Sequence, residues 1–152
     1  MKPNGISQYE REIHIAARPE IVFSFLTDPE KMKQWKGVEA ELNPKPGGIY
    51  RVVVTENNTA RGEFVELVPY RRIVFTWGWE EEENPLRPGT STVEVTLEPN
   101  GSGTLLRLRH DGLPEIAIAG QSAGWEHYLD RLATAAVGTN PGPDPWAQVT
   151  EG

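Results

Sequence analysis

The sequence predicts an α+β domain in which a curved antiparallel β-sheet wraps around a long C-terminal helix. Two observations carry this prediction. Across residues 47–109, hydrophobic and polar residues alternate in short runs separated by turn residues, which is typical of successive antiparallel hairpins. From about Glu115 to Val137 the hydrophobic residues instead recur at the spacing of a helix. The chain therefore builds its sheet first and its long helix last.

The segment before residue 47 predicts one strand and two short helices. From about Gln8 to Ala16 the residues alternate, as expected of a half-buried strand. Pro19 suits the first turn of a helix, and Asp28 followed by Pro29 is typical of an N-cap at the start of a second helix that ends near Trp35. One face of the first strand carries Tyr9, Arg11, Ile13 and Ile15.

The region that follows predicts a six-stranded meander with one apolar and one polar face. We expect turns at Asn57-Asn58, at Pro69-Tyr70 and across residues 100–103. The acidic run Glu80–Glu83 is interpreted as a solvated hairpin loop. The apolar face carries Tyr50, Val52, Val54, Phe64, Val68, Ile73, Phe75, Trp77, Trp79, Val93, Val95, Leu97, Leu106 and Leu108.

The long helix is predicted to turn one apolar stripe toward the sheet. Gly138 is a suitable stop, and residues 139–152 form a tail too rich in proline and glycine to continue a helix. A chain of 152 residues is long enough for one hydrophobic core, so we expect a single domain with its core at about residues 8–138. The apolar stripe of the helix consists of Trp125, Leu129, Leu132 and Ala136.

Composition restricts the classes of function. A net charge of −7 disfavours nucleic acid as a partner, because nucleic acid selects clustered Lys and Arg. The sequence has no cysteine, which excludes disulfides and thiolate chemistry. We see neither a signal peptide nor an apolar run near the roughly 20 residues of a membrane-spanning helix. We therefore expect a cytoplasmic protein without membrane insertion.

The order of elements and several local sequences together resemble a known superfamily. The segments are 13–23 (IHIAARPEIVF), 27–35 (TDPEKMKQW), 46–52 (PGGIYRV), 62–69 (GEFVELVP), 73–77 (IVFTW) and 124–125 (GW). They resemble the START-like, or helix-grip, superfamily, and within it the bacterial homologues of the activator of heat-shock-protein-90 ATPase. The resemblance implies a helix-grip fold with two short helices after the first strand. Because that superfamily contains carriers, cyclases and cochaperone parts, the resemblance implies no single function.

A sheet wrapped around a helix predicts an apolar cavity between them, which is the default ligand site of such a domain. We expect Leu26, Met32 and Trp35 to close its mouth. The abundance of aromatic residues favours a flat apolar or aromatic ligand. The expected ligand-binding residues are Trp35, Tyr50, Val52, Phe64, Phe75, Trp77, Trp79, Val95, Leu106, Leu108, His110, Trp125, Tyr128 and Leu129.

The alternation along the strands places three polar side chains on the same face as the apolar residues of the sheet. They are Arg11, Glu66 and His110, and each would orient a ligand if it pointed inward. Alternatively they reach water at strand ends, or Arg11 and Glu66 pair with each other. His110 is the strongest of the three candidates, since an imidazole both donates and accepts hydrogen bonds.

The sequence carries no signature of a metal site, a cofactor or nucleophilic catalysis. His14, His110 and His127 fall on separate predicted elements without ligand spacing. We find no Gly-x-Ser-x-Gly motif and no phosphate-binding glycine loop. We therefore expect no metal, no cofactor and no catalytic residue.

Three functions from different classes agree with these features. The leading hypothesis is non-catalytic binding of a small hydrophobic or aromatic ligand, such as a lipid, with a role in stress response. The first alternative is an enzyme resembling the cyclases and dehydratases, using His110, Glu66 and Tyr128. The second alternative is a cochaperone-like module whose partner is a chaperone or another protein. The protein is expected to be a monomer or a homodimer.

Overall fold

Seven antiparallel strands form one sheet that curves around a long helix. The computed structural model describes residues 6–142, 144 and 145. The strands are β1 (Ile6–Ile15), β2 (Glu39–Leu42), β3 (Ile49–Thr55), β4 (Asn58–Val68), β5 (Arg72–Trp77), β6 (Ser91–Asn100) and β7 (Gly103–Pro114). The helices are α1 (Pro19–Thr27), α2 (Pro29–Met32) and α3 (Ile118–Ala136). The helix-grip architecture predicted from the sequence is confirmed.

The spatial order of the strands is β1-β7-β6-β5-β4-β3-β2. The chain runs from β2 to β7 as a meander, and β1 returns to pair with β7 at the far edge. The six-stranded meander includes β2, which lies before the region whose alternation predicts strands. A 3-10 turn at Glu115–Ala117 precedes α3, so the long helix begins at Ile118 rather than at Glu115.

The two short helices begin as their sequences predict. The Asp28 side chain accepts hydrogen bonds from the backbone N–H groups of Glu30 at 2.8 Å and Lys31 at 3.3 Å. Pro29 occupies the first position of α2, where its missing N–H costs no hydrogen bond. None of the helices in the described part of the chain combines the length and the apolar character needed to cross a membrane.

The core lies between the concave face of the sheet and α3. The apolar stripe predicted for this helix is confirmed, since Trp125, Leu129, Leu132 and Ala136 are all buried. Arg11 of β1 forms an ion pair with Glu126 of α3 at 3.6 Å. These contacts attach the helix to the sheet along its length.

A β-bulge in β4 changes the face of the residues that follow it. Phe64 pairs with Phe75, but the next paired residue is Glu66, opposite Val74. The extra residue reverses the alternation, so Glu66 and Val68 point outward and are exposed. Placing Val68 on the inner face was therefore wrong, because alternation identifies a face only along an uninterrupted strand. For Glu66 the structure agrees with the alternative that its side chain reaches water.

The acidic loop between β5 and β6 is fastened to the neighbouring hairpin. The Glu80 carboxylate accepts from the guanidinium of Arg51 at 2.7 Å and of Arg61 at 3.3 Å. The Glu81 carboxylate accepts from the backbone N–H of Thr59 at 3.0 Å. Interpreting this run as a solvated loop was thus incomplete, since two of its glutamates hold the loop against β3 and β4.

The C-terminal tail turns away from α3 at Gly138, whose φ of 86° lies in the left-handed region that ends helices. Asp144 accepts a hydrogen bond from the Tyr128 hydroxyl at 2.6 Å. Of the predicted tail, residues 143 and 146–152 lie outside the described part of the chain.

Substitution of Gly62 on β4 tests how closely the backbones of β4 and β5 approach each other. A Cβ at Gly62 would lie 1.9 Å from the backbone oxygen of Thr76 on β5. We predict that Gly62→Ala lowers the free energy of unfolding by about 1–3 kcal/mol, because backbone atoms must move to admit the methyl group. Urea denaturation measures the change.

The matched control for Gly62→Ala is Gly120→Ala in α3. A Cβ at Gly120 meets no atom within 4 Å. Alanine should therefore stabilise the protein there by about 0.5–1 kcal/mol through its higher helix propensity. An unchanged unfolding midpoint for Gly62→Ala would contradict the strand spacing described here.

Candidate functional site

An aromatic cavity of about 160 Å³ lies between α3 and the hairpin formed by β3 and β4. Five elements contribute to it: both strands of the hairpin, the end of β5, the β5–β6 loop and the first half of α3. The segment between α2 and β2 adds one side chain. The cavity is lined by Lys36, Val54, Thr55, Asn58, Trp77, Trp79, Gly120, Gln121, Gly124, Trp125 and Tyr128.

Three tryptophans form the wall of the aromatic cavity. The ring centroids of Trp77 and Trp125 lie 5.5 Å apart with an interplanar angle of 45°. Trp79 meets Trp77 edge to face, also at 5.5 Å. A dry cavity of about 150 Å³ in another protein is known to take up benzene. The aromatic cavity therefore has the size of a single ring.

Trp79 reaches the cavity from a loop, although the alternation places it on the same strand as Trp77. Strand β5 ends at Trp77, and the next residue, Gly78, lies so close to the loop that a Cβ would be 2.0 Å from the Arg87 backbone oxygen. The backbone N–H of Trp79 then donates to the Leu86 backbone oxygen at 2.8 Å, and Trp79 forms an isolated antiparallel β-bridge with Ala60 on β4. This β-bridge keeps the Trp79 side chain on the inner face of the sheet, as predicted.

Lys36 places an amine inside the cavity. The side chain is only 3% exposed, and its Nζ lies 4.1 Å from the ring centroid of Trp77 and 4.3 Å from that of Trp125. No side chain in the described part of the chain hydrogen-bonds or pairs with this amine. Desolvation lowers the pKa of Lys36 to about 7. Cation–π attraction to the two rings offsets part of that desolvation.

The turn after α2 directs Lys36 inward. The Lys36 N–H donates to the Met32 backbone oxygen at 2.8 Å, which extends the helical turn by one residue. Gly37 follows with a φ of 87°, and a Cβ there would lie 2.6 Å from a methyl group of Val52. Helical spacing from Met32 also reaches Trp35 and Lys36 at i+3 and i+4. That spacing was the sequence signal for Lys36, and sequence analysis missed it.

His110 stands behind the cavity wall and is fully buried. Its Nδ1 accepts from the Trp125 indole N–H at 3.0 Å, so its proton resides on Nε2 and is donated to the Ser91 hydroxyl at 2.8 Å. The Ser91 hydroxyl in turn donates to the Trp77 backbone oxygen at 2.7 Å. Burial, assisted by the charge of Lys36, lowers the pKa of His110 to about 3. His110 therefore fixes the positions of two tryptophans as a neutral ring.

Four of the sequence-predicted binding residues line the cavity: Trp77, Trp79, Trp125 and Tyr128. Nine lie in the core outside its wall because α3 packs directly against that part of the sheet. These nine are Trp35, Tyr50, Val52, Phe64, Phe75, Val95, Leu106, Leu108 and Leu129.

The mouth of the cavity differs from the predicted one. Leu26, Met32 and Trp35 are buried in the core, and the Trp35 indole donates to the Phe25 backbone oxygen at 2.9 Å. The opening lies instead between the β3–β4 hairpin and the side of α3 that carries Gly120 and Gly124.

The three residues considered for an enzyme do not converge on the cavity. Glu66 is exposed and pairs with Arg72 at 2.8 Å, while both ring nitrogens of His110 are hydrogen-bonded. Burial, with the hydrogen bond to Asp144, raises the pKa of the Tyr128 hydroxyl far above its ordinary value. Arg11 does not pair with Glu66. Within the residues the structure describes, no cluster of His, Asp and Glu could hold a metal ion.

A second, larger space is an open groove of about 810 Å³ between the α1–α2 region and the end of α3. Phe25 is the aromatic residue that the structure places in its lining, so the groove lacks the aromatic wall of the smaller cavity. It is lined by Phe25, Lys33, Gln34, Lys36, Gly37, Val38, Arg131, Ala135, Ala136, Gly138, Thr139, Asn140, Gly142 and Asp144. We take the aromatic cavity as the candidate site.

Comparisons with known proteins agree with the fold. The family model for activator of Hsp90 ATPase homolog 1-like protein matches residues 16–136. The solution structure of an AHSA1-like protein from Rhizobium etli is 47% identical, covers 95% of this chain and 91% of its own, and superposes with a TM-score of 0.74. CalU16 from Micromonospora echinospora is 28% identical over 88% of this chain and 78% of its own, with a TM-score of 0.71.

Among the more distant neighbours, which share the fold alone, is a protein described as a dimer. The Aha1 dimer from Colwellia psychrerythraea is 19% identical, covers 86% of this chain and 96% of its own, and has a TM-score of 0.74. A comparison with curated proteins gave no match.

The buried amine of Lys36 predicts that replacing this residue stabilises the protein. We expect Lys36→Met to raise the free energy of unfolding at pH 7 by about 1–4 kcal/mol, because an unpaired buried charge is removed. Folding lowers the Lys36 pKa from 10.5 to about 7. Between these values the unfolded chain binds more protons, so the wild type should gain stability relative to the variant as pH rises from 7 to 10.5.

Chemical denaturation at pH 7, 8.5 and 10 measures both effects of Lys36→Met. The control is Lys33→Met, which removes an exposed charge paired with Glu30 on the same segment. If Lys36→Met is less stable than the wild type, or if the difference between them is independent of pH, the buried amine is not an unpaired charge.

The neutral His110 predicts a flat NMR titration. Because its folded pKa is about 3, its ring signals should keep the Nε2–H pattern from pH 8 down to pH 5. The unfolded chain protonates this histidine below its ordinary pKa of 6.5, so the fold loses stability between pH 6.5 and 3. A midpoint above pH 5 for His110 would refute the hydrogen-bond assignment.

Proposed function

The chain belongs to the family of activator of Hsp90 ATPase homolog 1-like proteins, as its sequence predicted, and from this premise we propose that it binds a small hydrophobic or aromatic ligand without catalysis. Membership of this family fits a ligand-binding module. The observation that carries the proposal is the aromatic cavity, whose 160 Å³ is walled by Trp77, Trp79 and Trp125. The ligand would lie against these rings with its apolar face.

Two glycines in α3 argue that the cavity is more than a packing defect. Gly120 and Gly124 stand within a 19-residue helix, where each costs about 1 kcal/mol relative to alanine. Neither has an atom within 4 Å of a Cβ built on it, so alanine would fit at both positions. Keeping glycine there leaves the mouth open at the expense of helix stability. Such a loss of stability is common at functional sites.

The size and chemistry of the wall define the ligand class. A volume near 160 Å³ admits one aromatic ring or a short branched chain, while a longer ligand would protrude through the mouth. Rigid aromatic rings supply large contact areas with little loss of side-chain entropy. A compact ring therefore fits this wall better than an extended acyl chain.

The hydrogen bonds near the cavity favour binding without turnover. His110 is fixed as a neutral ring by Trp125 and Ser91, so it has no ring nitrogen left for a substrate. The cyclase-like alternative would have to use Lys36 instead of His110, Glu66 and Tyr128. For the cochaperone-like alternative, a chaperone recovered in near-stoichiometric yield from lysate would be the supporting result.

The proposal predicts that filling the mouth of the cavity weakens ligand binding. Toluene, which carries one ring and no polar group, should bind the wild type with a measurable dissociation constant in isothermal titration calorimetry. Gly124→Leu should weaken that binding at least tenfold, because the new side chain occupies the open space beside the helix. Native mass spectrometry of the purified protein tests in addition for a ligand that copurifies.

Ala123→Leu is the matched control for Gly124→Leu. Ala123 is exposed on α3, so the same side chain added one residue earlier faces solvent. Its affinity for toluene should equal that of the wild type. The proposal fails if neither toluene nor a panel of other single-ring compounds binds, or if Gly124→Leu binds them unchanged.

A further inference from the structure

We propose that the ligand of the aromatic cavity is an aromatic acid, whose ring lies against the tryptophan wall and whose anionic oxygen pairs with the Lys36 ammonium. This inference rests on the proposed function and names the chemical class of its ligand. Its central observation is an amine that is 3% exposed and lines the cavity without an acidic partner among the residues that the structure describes.

The charged groups around Lys36 are engaged elsewhere. Asp144 accepts from Tyr128 at 2.6 Å and lies 2.8 Å from His127. The Arg131 guanidinium donates to the backbone oxygens of Trp35 at 3.0 Å and Gly142 at 2.9 Å. No carboxylate in the described part of the chain forms an ion pair with the Lys36 amine. Buried charges in proteins are normally paired, so a bound anion would supply the missing partner.

A second, independent observation points to an acceptor on the ligand. The indole N–H of Trp77 is buried and has no hydrogen-bond acceptor among the described residues. Trp77 lines the same cavity as Lys36, and an unsatisfied buried donor is costly. A carboxylate offers two oxygens, whereas a hydrocarbon would leave both donors unmatched.

The lining also limits the charge of the ligand. Among the described residues that line the cavity, Lys36 is the one that is charged, and the others are aromatic, aliphatic, glycine or neutral polar. A single cation matches a single negative charge. A phosphate, which carries nearly two, would leave part of its charge buried and unpaired. A carboxylate with one ring is thus the class that fits.

Binding an anion to Lys36 should favour its protonated form. The amine has a pKa of about 7 in the free protein, so proton uptake should accompany binding at and above that pH. The other titratable groups at this position are His110 from β7 and Tyr128 from α3, with Asp144 and His127 next to Tyr128. His110 stays neutral because its pKa is about 3, and the Tyr128 pKa is raised.

Three probes of similar size test the inference by isothermal titration calorimetry. Benzoate is the acid, benzamide is its neutral twin, and toluene carries only the ring. At pH 6 benzoate should bind the wild type roughly ten- to hundredfold more tightly than benzamide, the range of a charge-assisted hydrogen bond. From pH 6 to pH 9 this preference should fall at least tenfold. At pH 7 the heat should vary with buffer in the sense of proton uptake.

Lys36→Met should lose both the preference for benzoate over benzamide and the pH dependence of that preference. Lys33→Met, which removes an exposed charge nearby, should keep both. Should Lys36→Met fail to fold, the comparison of benzoate with benzamide in the wild type still decides. Equal affinities for benzoate and benzamide, with toluene bound, overturn this inference and leave the proposed function intact. Failure of all three probes overturns the proposed function itself.

Discussion

The hydrogen bond between the indole of Trp125 and the ring of His110 joins the long helix to the sheet, and the site depends on it. Through Ser91 the same chain of donors ends on the backbone of Trp77, so strands β5, β6 and β7 and helix α3 are linked in one line. The indole N–H of Trp125 can only donate and the carbonyl oxygen of Trp77 can only accept, so the two ends of the line fix the tautomer of His110. Trp77 and Trp125, two of the three tryptophans that line the cavity, are thereby held at a set distance.

A second constraint is the poor fit between a curved sheet and a straight helix. Along most of α3 the side chains of both layers meet, and Leu129 and Leu132 are almost completely buried. Near the start of the helix the β3–β4 hairpin extends past the packed core, and glycines on the helix leave the space between them unfilled. The cavity thus forms where the sheet and α3 no longer pack against each other, near the start of the helix. The amine of Lys36 occupies part of it and gives an otherwise apolar space its polarity.

The sequence predicted the architecture because two periodicities, of two and of 3.6 residues, are each maintained over long segments. Edge strand β2 was missed because four residues beginning with glutamate give too short a signal. The bulge in β4 was missed as well, since an extra residue leaves the alternation of Glu66 and Val68 looking regular. In both cases the pairing partner, which the sequence does not display, decides the outcome.

The candidate site was less predictable than the fold. The alternation of residues identified the inner face of the sheet and therefore found Trp77. It could not tell which residues of that face line the cavity and which are buried in the core. Tyr50 and Phe64 have the correct parity and lie in the solid core. Lys36 could not be found by composition or charge, because lysine is almost never fully buried. Its position four residues after Met32 on a buried helical face was the available signal.

The two glycines of α3 at the mouth of the cavity, Gly120 and Gly124, affect how related proteins can diverge. Positions 120 and 124 border the opening without supporting the core, so side chains there can change with little effect on the folding of the chain. Relatives could therefore acquire different small-molecule preferences by exchanging one or two residues on a single helix while every strand stays as it is. A shared fold would then be a poor guide to a shared ligand among homologues, and the residues at these two positions a better one.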